Sequence, residues 1–263
     1  MPEGDVLRRT AARLDQALAG RVLIRSELRW PTVAAVDLVG RTVLRTAPYG
    51  KHLLTRFDDG RTLHTHLRME GSWRIERTGA PGARAGGQHV RAVLGAQTWT
   101  AIGDGLGMVD VVATRDEHTL IGHLGPDLLA DDFPGPGLTE ALRRWGAGGA
   151  EPVCDVLLDQ EVVAGIGTIW MAESLFAQRL WPWTPADRVD ASAVLMTART
   201  LMGRSAAAFA TAGAHRGVAD LSRQVHGRHR QHCRRCGTPI AVGTARRPPQ
   251  ERPVFYCPTC QHV

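Results

Sequence analysis

Leu7, Ala11, Leu14 and Leu18 recur at i, i+4, i+7 and i+11, with Arg8, Arg9, Arg13 and Asp15 on the other side, so the spacing predicts an amphipathic helix over residues 4–19 closed by Gly20. From Arg21 to about Ala113 the pattern shortens to β-rich runs at 22–28, 36–44, 52–57, 62–67, 72–75, 90–94 and 108–112, punctuated by glycines. Many short strands at this spacing predict an antiparallel sandwich or barrel. The segment 79–87, rich in Gly, Ala and Arg, is expected to be a mobile loop. After about Asp116 the signal turns helical, with helices expected at 118–124, 138–145, 153–160, 168–178 and 191–212. The pattern predicts an α+β multidomain chain, with the first boundary between residues 115 and 130.

Composition narrows the class. With 263 residues and 43% hydrophobic content the chain can bury a sizeable core, more than one domain's worth. There is no apolar run of 18 residues and no basic leader followed by an apolar stretch, so the expectation is a soluble intracellular protein without a membrane partner. Charge is unevenly placed: residues 215–263 hold 9 Arg against 2 acids, so the excess behind the net charge of +6 lies in the tail. A basic module on a near-neutral body points to a polyanion, most often nucleic acid.

Three features carry candidate chemistry. Lys51 is the single lysine beside 31 arginines. An ammonium can donate or accept a proton where a guanidinium cannot, which marks Lys51 as a candidate chemical group. Pro2 behind Met1 permits removal of the methionine, exposing a secondary amine that can attack carbonyl carbon, with Glu3 beside it as acid or base. In the turn Val163-Ala164-Gly165-Ile166-Gly167-Thr168, glycines bring bare backbone to a helix start, where free amides and the dipole can hold a phosphate.

The tail adds two CxxC pairs, Cys233/Cys236 and Cys257/Cys260, separated by 20 residues. This is the spacing of a structural zinc ribbon or hairpin: four thiolates fill a tetrahedral site and leave no position for water, so one structural Zn2+ is expected. The staple would present Arg234, Arg235, Arg246, Arg247 and Arg252 to phosphate. Cys154, among Val153, Val156 and Leu157, reads as a buried small residue.

These pieces stand in an order that resembles the formamidopyrimidine-DNA glycosylase and endonuclease VIII family, nearer its endonuclease VIII-like branch. The motifs are Met1-Pro2-Glu3-Gly4, Gly50-Lys51-His52-Leu53-Leu54, His66-Leu67-Arg68-Met69-Glu70-Gly71-Ser72, Leu124-Gly125-Pro126-Asp127-Leu128-Leu129, Gly165-Ile166-Gly167-Thr168-Ile169-Trp170 with Ala172-Glu173-Ser174-Leu175-Phe176, and the finger ending Phe255-Tyr256-Cys257-Pro258-Thr259-Cys260-Gln261. The resemblance implies an N-terminal helix with an antiparallel β-sandwich (1–115), a helix-two-turns-helix domain (116–225) and a four-cysteine β-hairpin zinc finger (226–263). It implies a bifunctional DNA glycosylase and AP lyase of base excision repair, acting on oxidised bases, pyrimidines before purines.

In that reading Pro2, Glu3, Lys51 and Arg252 are catalytic, and Arg68, Met69, His89, His123 and Thr168 touch DNA. Cys233, Cys236, Cys257 and Cys260 hold the metal. The partner is damaged DNA, double-stranded, bubble or single-stranded, handled by a cytoplasmic bacterial monomer at the nucleoid with no small-molecule cofactor. Three positions depart from the family pattern. Val6 replaces a glutamate, Thr168 replaces an asparagine, and 102–107 lacks the Arg and Phe that fill the vacated base site. The alternative they leave open is a damaged-DNA-binding protein with weakened or lost catalysis.

Overall fold

The structure, a computed structural model, describes residues 2–211 and 223–262, with backbone only at 209–211. Met1 of the opening motif and residue 212 of the last expected helix lie outside them. The chain forms two compact units: Met1–Pro2 with Val6–His123, and Glu3–Asp5 with Leu124–Val263. Among the described residues no helix is long and apolar enough to cross a membrane.

Helix α1 (Gly4–Leu18) buries the stripe read from the sequence, with Leu7, Ala11, Leu14 and Leu18 all excluded from solvent. Gly20 follows at φ +72°, and its amide bonds the Val43 carbonyl. The first unit continues as β1 (Arg25–Leu28), β2 (Val43–Tyr49), β3 (His52–Phe57), β4 (Arg61–His66), β5 (Ser72–Arg77), β6 (Val90–Gly95), β7 (Trp99–Asp104) and β8 (Met108–Ala113). They make two four-stranded antiparallel sheets, ordered β1-β6-β7-β5 and β2-β3-β4-β8. Leu53, Phe57, Leu63 and Val109 of one sheet and Trp73, Ala92, Leu94 and Ala101 of the other enclose a single core with the α1 stripe.

Three local expectations give way. The run at 36–44 is mostly irregular, and the strand starts at Val43 and passes through Pro48, tolerated because β2 is an edge strand. Strand β7 was hidden in a Gly- and Thr-containing stretch, yet it is central to its sheet, and its buried Thr100 hydroxyl bonds that of Thr78. The segment 79–87 is not irregular throughout. It carries a short 3-10 turn, Pro81–Arg84, and arginines hold carbonyls of the turn and of the residue after it: Arg25 reaches Ala83 (2.7 Å), Arg74 reaches Gly82 (2.7 Å) and Arg29 reaches Ala85 (2.8 Å).

The second unit contains α3 (Leu138–Ala147), α4 (Val153–Leu158), α5 (Thr168–Ala177) and α6 (Ala191–Thr211), after a one-turn α2 (His118–Ile121) that belongs to the first. Its core runs from Leu128 and Phe133 through Trp145, Leu157, Leu175 and Met202 into the hairpin β9 (Ala241–Ala245) and β10 (Arg252–Tyr256). The hairpin lacks a core of its own and shares this one, through Ile240, Ala245 and Val254.

On the outer face of the β2-β3-β4-β8 sheet lies a polar layer. Glu117 accepts two bonds from Arg56 (2.7 and 2.6 Å) and one from the fully buried Thr62 hydroxyl (2.7 Å). Charge-assisted pairs of this kind are about twice as strong as neutral ones. Glu117→Ala strands both donors, and urea unfolding is expected to show a loss of about 1–3 kcal/mol.

Candidate active site and metal centre

In the second unit, the turn before α5 binds an anion, and the anion is the chain's own. Both oxygens of Glu3, itself 2% exposed, accept backbone amides: Gly167 (2.8 Å) and Trp170 (3.3 Å) at Oε2, Ile169 (2.8 Å) at Oε1. Free amides at a helix start and the positive end of its dipole favour a carboxylate here, so the phosphate expected at these amides is displaced by Glu3. The glycines are a steric requirement. A Cβ on Gly167 would lie 2.6 Å from the Glu3 carboxyl carbon, Gly165 sits at φ +109°, and its carbonyl accepts the Gly4 amide (3.0 Å). Asp5, also buried, accepts from the Trp170 indole (3.1 Å) and the Ser205 hydroxyl (2.7 Å).

A third buried carboxylate belongs to the helix itself. Glu173, on α5, accepts the amides of Gln224, Val225 and His226 at 2.9–3.0 Å, tying the finger's leading segment to the helix. Thr168, the first residue of α5, has its hydroxyl 3.5 Å from His226 Nε2. The His226 ring packs edge-on against Phe255, with Nδ1 buried and unbonded, and burial and the Arg223 charge hold its pKa down to about 4.

In the first unit, Lys51 is 6% exposed, in the tight turn between β2 and β3. Alternation along β3, β4 and β8 places His52, His64, His66 and Asp110 on the face opposite the core. His52 Nδ1 lies 2.8 Å from His64 Nε2, His64 Nδ1 lies 2.9 Å from Asp110, and His66 Nδ1 accepts the Arg68 amide (2.9 Å). Burial first, and then the charges of His66, His64, His123 and Lys51, push His52 down to about 3. Burial, then His64, Lys51 and Arg68, push His66 to about 4. Both rings are therefore neutral at physiological pH. His52 and His64 were missed as site residues; three histidines within 15 positions on alternating strand sites were the available signal.

Arg68 and Met69 are exposed beyond β4, Met69 at 68%, with Arg68 in the left-handed region at φ +50°. Gly107 makes room for the Arg68 stem, which a Cβ there would meet at 2.4 Å. In the loop that crosses from β7 to β8, Leu106 turns inward over Gly103 and is buried. His89 and His123 are both exposed.

The four cysteine sulfurs lie within 4.8 Å of one another, with Cys233 and Cys260 at 3.9 Å and Cys236 and Cys257 at 3.4 Å. Tetrahedral thiolates about 2.3 Å from one ion stand roughly 3.8 Å apart, so this donor set fits a metal. Hydrogen bonds from Thr238 hold the Cys236 thiol down to about 6, whereas burial raises Cys257. Cys154 is fully buried in the core, and burial raises its thiol. Of the finger arginines, Arg234, Arg235, Arg247 and Arg252 are exposed, and Arg252 donates to the carbonyls of Gln250 and Glu251. Arg235 is also anchored on one side: its guanidinium lies 4.2 Å over the Phe176 ring and donates to that residue's carbonyl.

Comparison with known proteins places both units. The family model for the formamidopyrimidine-DNA glycosylase N-terminal domain matches residues 1–108, and that for the formamidopyrimidine-DNA glycosylase H2TH domain matches 124–211. A Streptomyces coelicolor protein named probable endonuclease 8 2 is 43% identical, covering 99% of this chain and 94% of the relative. The Mycolicibacterium smegmatis DNA-(apurinic or apyrimidinic site) lyase Nei2 is 36% identical over 99% of both. A solved Lactococcus lactis glycosylase of this fold, in complex with abasic-site DNA, superposes with a TM-score of 0.81 at 20% identity, covering 99% of this chain and all of that one.

The half-buried His52 carries a pH signature. Between the unfolded value near 6.5 and the folded value of about 3, the unfolded chain holds a proton on His52 that the folded chain refuses, so stability falls as pH drops from 6.5. Chemical denaturation from pH 7 to pH 4.5 is expected to show this decline, with a shallower slope in His52→Gln.

Proposed function

Because the chain belongs to the formamidopyrimidine-DNA glycosylase and endonuclease 8 family, we propose that it is a bifunctional DNA glycosylase and AP lyase of base excision repair that acts through Pro2, on oxidised bases and on pyrimidines before purines. The observation that carries the assignment of roles is the clamp on Glu3: three amides hold its carboxylate, and so fix the backbone one residue after the proposed nucleophile. A nucleophile on a free chain end would lose the advantage of a preset attack geometry.

With Met1 removed, the Pro2 amine attacks C1′ of the damaged nucleotide, the base leaves, and the amine and the sugar form an imine. Glu3 acts as acid and base around the sugar ring. The imine acidifies the neighbouring C2′ proton; its removal expels the 3′ phosphate, and a second elimination expels the 5′ phosphate. Lys51 assists by proton transfer and phosphate contact, Arg252 grips the phosphate beside the lesion, and Thr168 supplies a hydroxyl to the same phosphate. Arg68 and Met69 enter the space the flipped nucleotide vacates, and His89 and His123 contact the strand. The inward Leu106 leaves Met69 as the main wedge, which favours lesions in bubble or single-stranded DNA, where unstacking costs less.

The Cys233, Cys236, Cys257 and Cys260 set holds one structural zinc, which would supply the finger with the staple it needs to present Arg252. We read the protein as a monomer acting in the bacterial cytoplasm, and as three functional regions, 1–115, 116–225 and 226–263.

Borohydride trapping on DNA with an abasic site tests the chemistry. Parent protein is expected to form a covalent adduct and Pro2→Gly protein at least about a hundredfold less; undiminished trapping by the variant removes Pro2 from the mechanism, and no adduct with the parent favours a binding protein without catalysis. Metal analysis should return one zinc per chain, and a strong chelator should abolish strand cleavage while changing the fluorescence of Trp181 and Trp183, which pack edge-on against Tyr256 of β10.

A further inference from the structure

The turn that grips Glu3 is itself held from behind by a side chain that the chemistry above leaves unused. Gln160, half-buried two residues after the end of α4, uses both ends of its amide group. Its Oε1 accepts the Gly165 amide (3.1 Å), and its Nε2 donates to the carbonyls of Ile166 (3.0 Å) and Leu158 (3.1 Å). The opposite orientation of the side chain would set its NH2 against an N–H and its oxygen against two carbonyls, so these partners fix which end is which.

Glu3 and Gln160 hold the two ends of one peptide unit. The Ile166 carbonyl and the Gly167 N–H share a trans peptide plane and point in opposite directions across it. Gln160 takes the oxygen, and Glu3 Oε2 takes the N–H at 2.8 Å. Gly165 is divided in the same way, its N–H going to Gln160 and its carbonyl to the Gly4 amide (3.0 Å). The glycines make this second hold necessary. Gly167 cannot carry a Cβ beside the Glu3 carboxyl group, yet without one its backbone turns freely. A half-turn of the Ile166–Gly167 peptide would aim a carbonyl at the Glu3 carboxylate in place of the N–H. The Gln160 donor opposes that turn, and a donor on the peptide oxygen also polarises the N–H toward a stronger bond.

We propose that Gln160 is a positioning residue for the N-terminal nucleophile: by fixing the Ile166–Gly167 peptide it keeps the Gly167 N–H on Glu3, and with it the backbone beside Pro2. Gln160 acts through one peptide and one carboxylate, and touches neither Pro2 nor DNA in this role. The proposal rests on the reading of Pro2 as the nucleophile and of Glu3 as its anchor.

The test is a mutant cycle in full-length, metal-loaded protein, read by the single-turnover rate at which a borohydride-trappable adduct forms on DNA with an abasic site. Gln160→Met keeps the length of the side chain and removes its bonds to Gly165, Ile166 and Leu158. Adduct formation is then expected to slow about tenfold, as for loss of one orienting hydrogen bond. In a Glu3→Ala background, where the Gly167 N–H has no carboxylate to meet, the same change should slow it no further. Gln160→Glu adds a readout that a loss of packing would not move. Its carboxyl group accepts from Gly165 in either state but donates to Ile166 only when protonated, so the rate relative to parent should rise as pH falls from about 8 to about 5.5. This variant carries the test alone if the methionine variant fails to fold. Equal fractional losses with and without Glu3, a parental rate in Gln160→Met while Glu3→Ala is slow, or a pH-independent ratio in Gln160→Glu overturns the assignment. A Glu3→Ala or Pro2→Gly protein that forms adduct at the parental rate overturns instead the reading of the anchor or of the nucleophile.

Discussion

The clamp between the Glu3 carboxylate and the amides of Gly167, Ile169 and Trp170 is the constraint on which the rest of this molecule depends. It satisfies helix-start amides that would otherwise be buried without partners, and it satisfies a carboxylate that is itself almost wholly buried. Neither group is stable in that position without the other. The clamp also needs Gly167, because any side chain there would collide with the carboxyl group, and it is reinforced by Gly4 bonding Gly165 and by Asp5 bonding Trp170 and Ser205. A chain terminus is ordinarily among the least ordered parts of a protein. Here three consecutive residues, Glu3 to Asp5, are committed to the second unit by hydrogen bonds.

The same logic appears twice more. Glu173 collects the amides of Gln224, Val225 and His226, and Glu117 collects Arg56 and Thr62. In each case a carboxylate withdrawn from solvent, wholly for Glu173 and partly for Glu117, is saturated by donors, the condition under which it strengthens a fold. The histidines on the sheet face solve the problem differently: they give up charge, since burial makes the imidazolium more costly than the neutral ring. The chain's one lysine, Lys51, is itself buried in the turn that leads into β3. The finger divides its labour between a four-sulfur cluster and a borrowed core, with Ile240, Ala245 and Val254 packed into the helical unit and exposed arginines left outside.

Local pattern carried much of the architecture. The α1 stripe, the helices near 138, 153, 168 and 191, and most strands were legible because one buried face writes a period of 3.6 or 2 into the chain. Where that reading failed, a neighbour had changed the rule. β7 is central in spite of its Gly103 and small residues because β5 and β6 flank it, and 79–87 is held because three arginines from β1, β5 and the segment after β1 find its carbonyls.

The sequence by itself determined the family, through motifs in fixed order, and the donor set of a metal site, since thiolates spaced as CxxC pairs have few other uses in one hairpin. It also singled out Lys51 against a background of arginine. Tertiary structure alone decided which anion fills the turn before α5, and that the Arg235 guanidinium lies over the Phe176 ring. It alone decided that Asp110, 46 residues from His64 along the chain, is that ring's partner. These depend on contacts between residues distant in sequence, and a local pattern records which face is buried but not what it meets there.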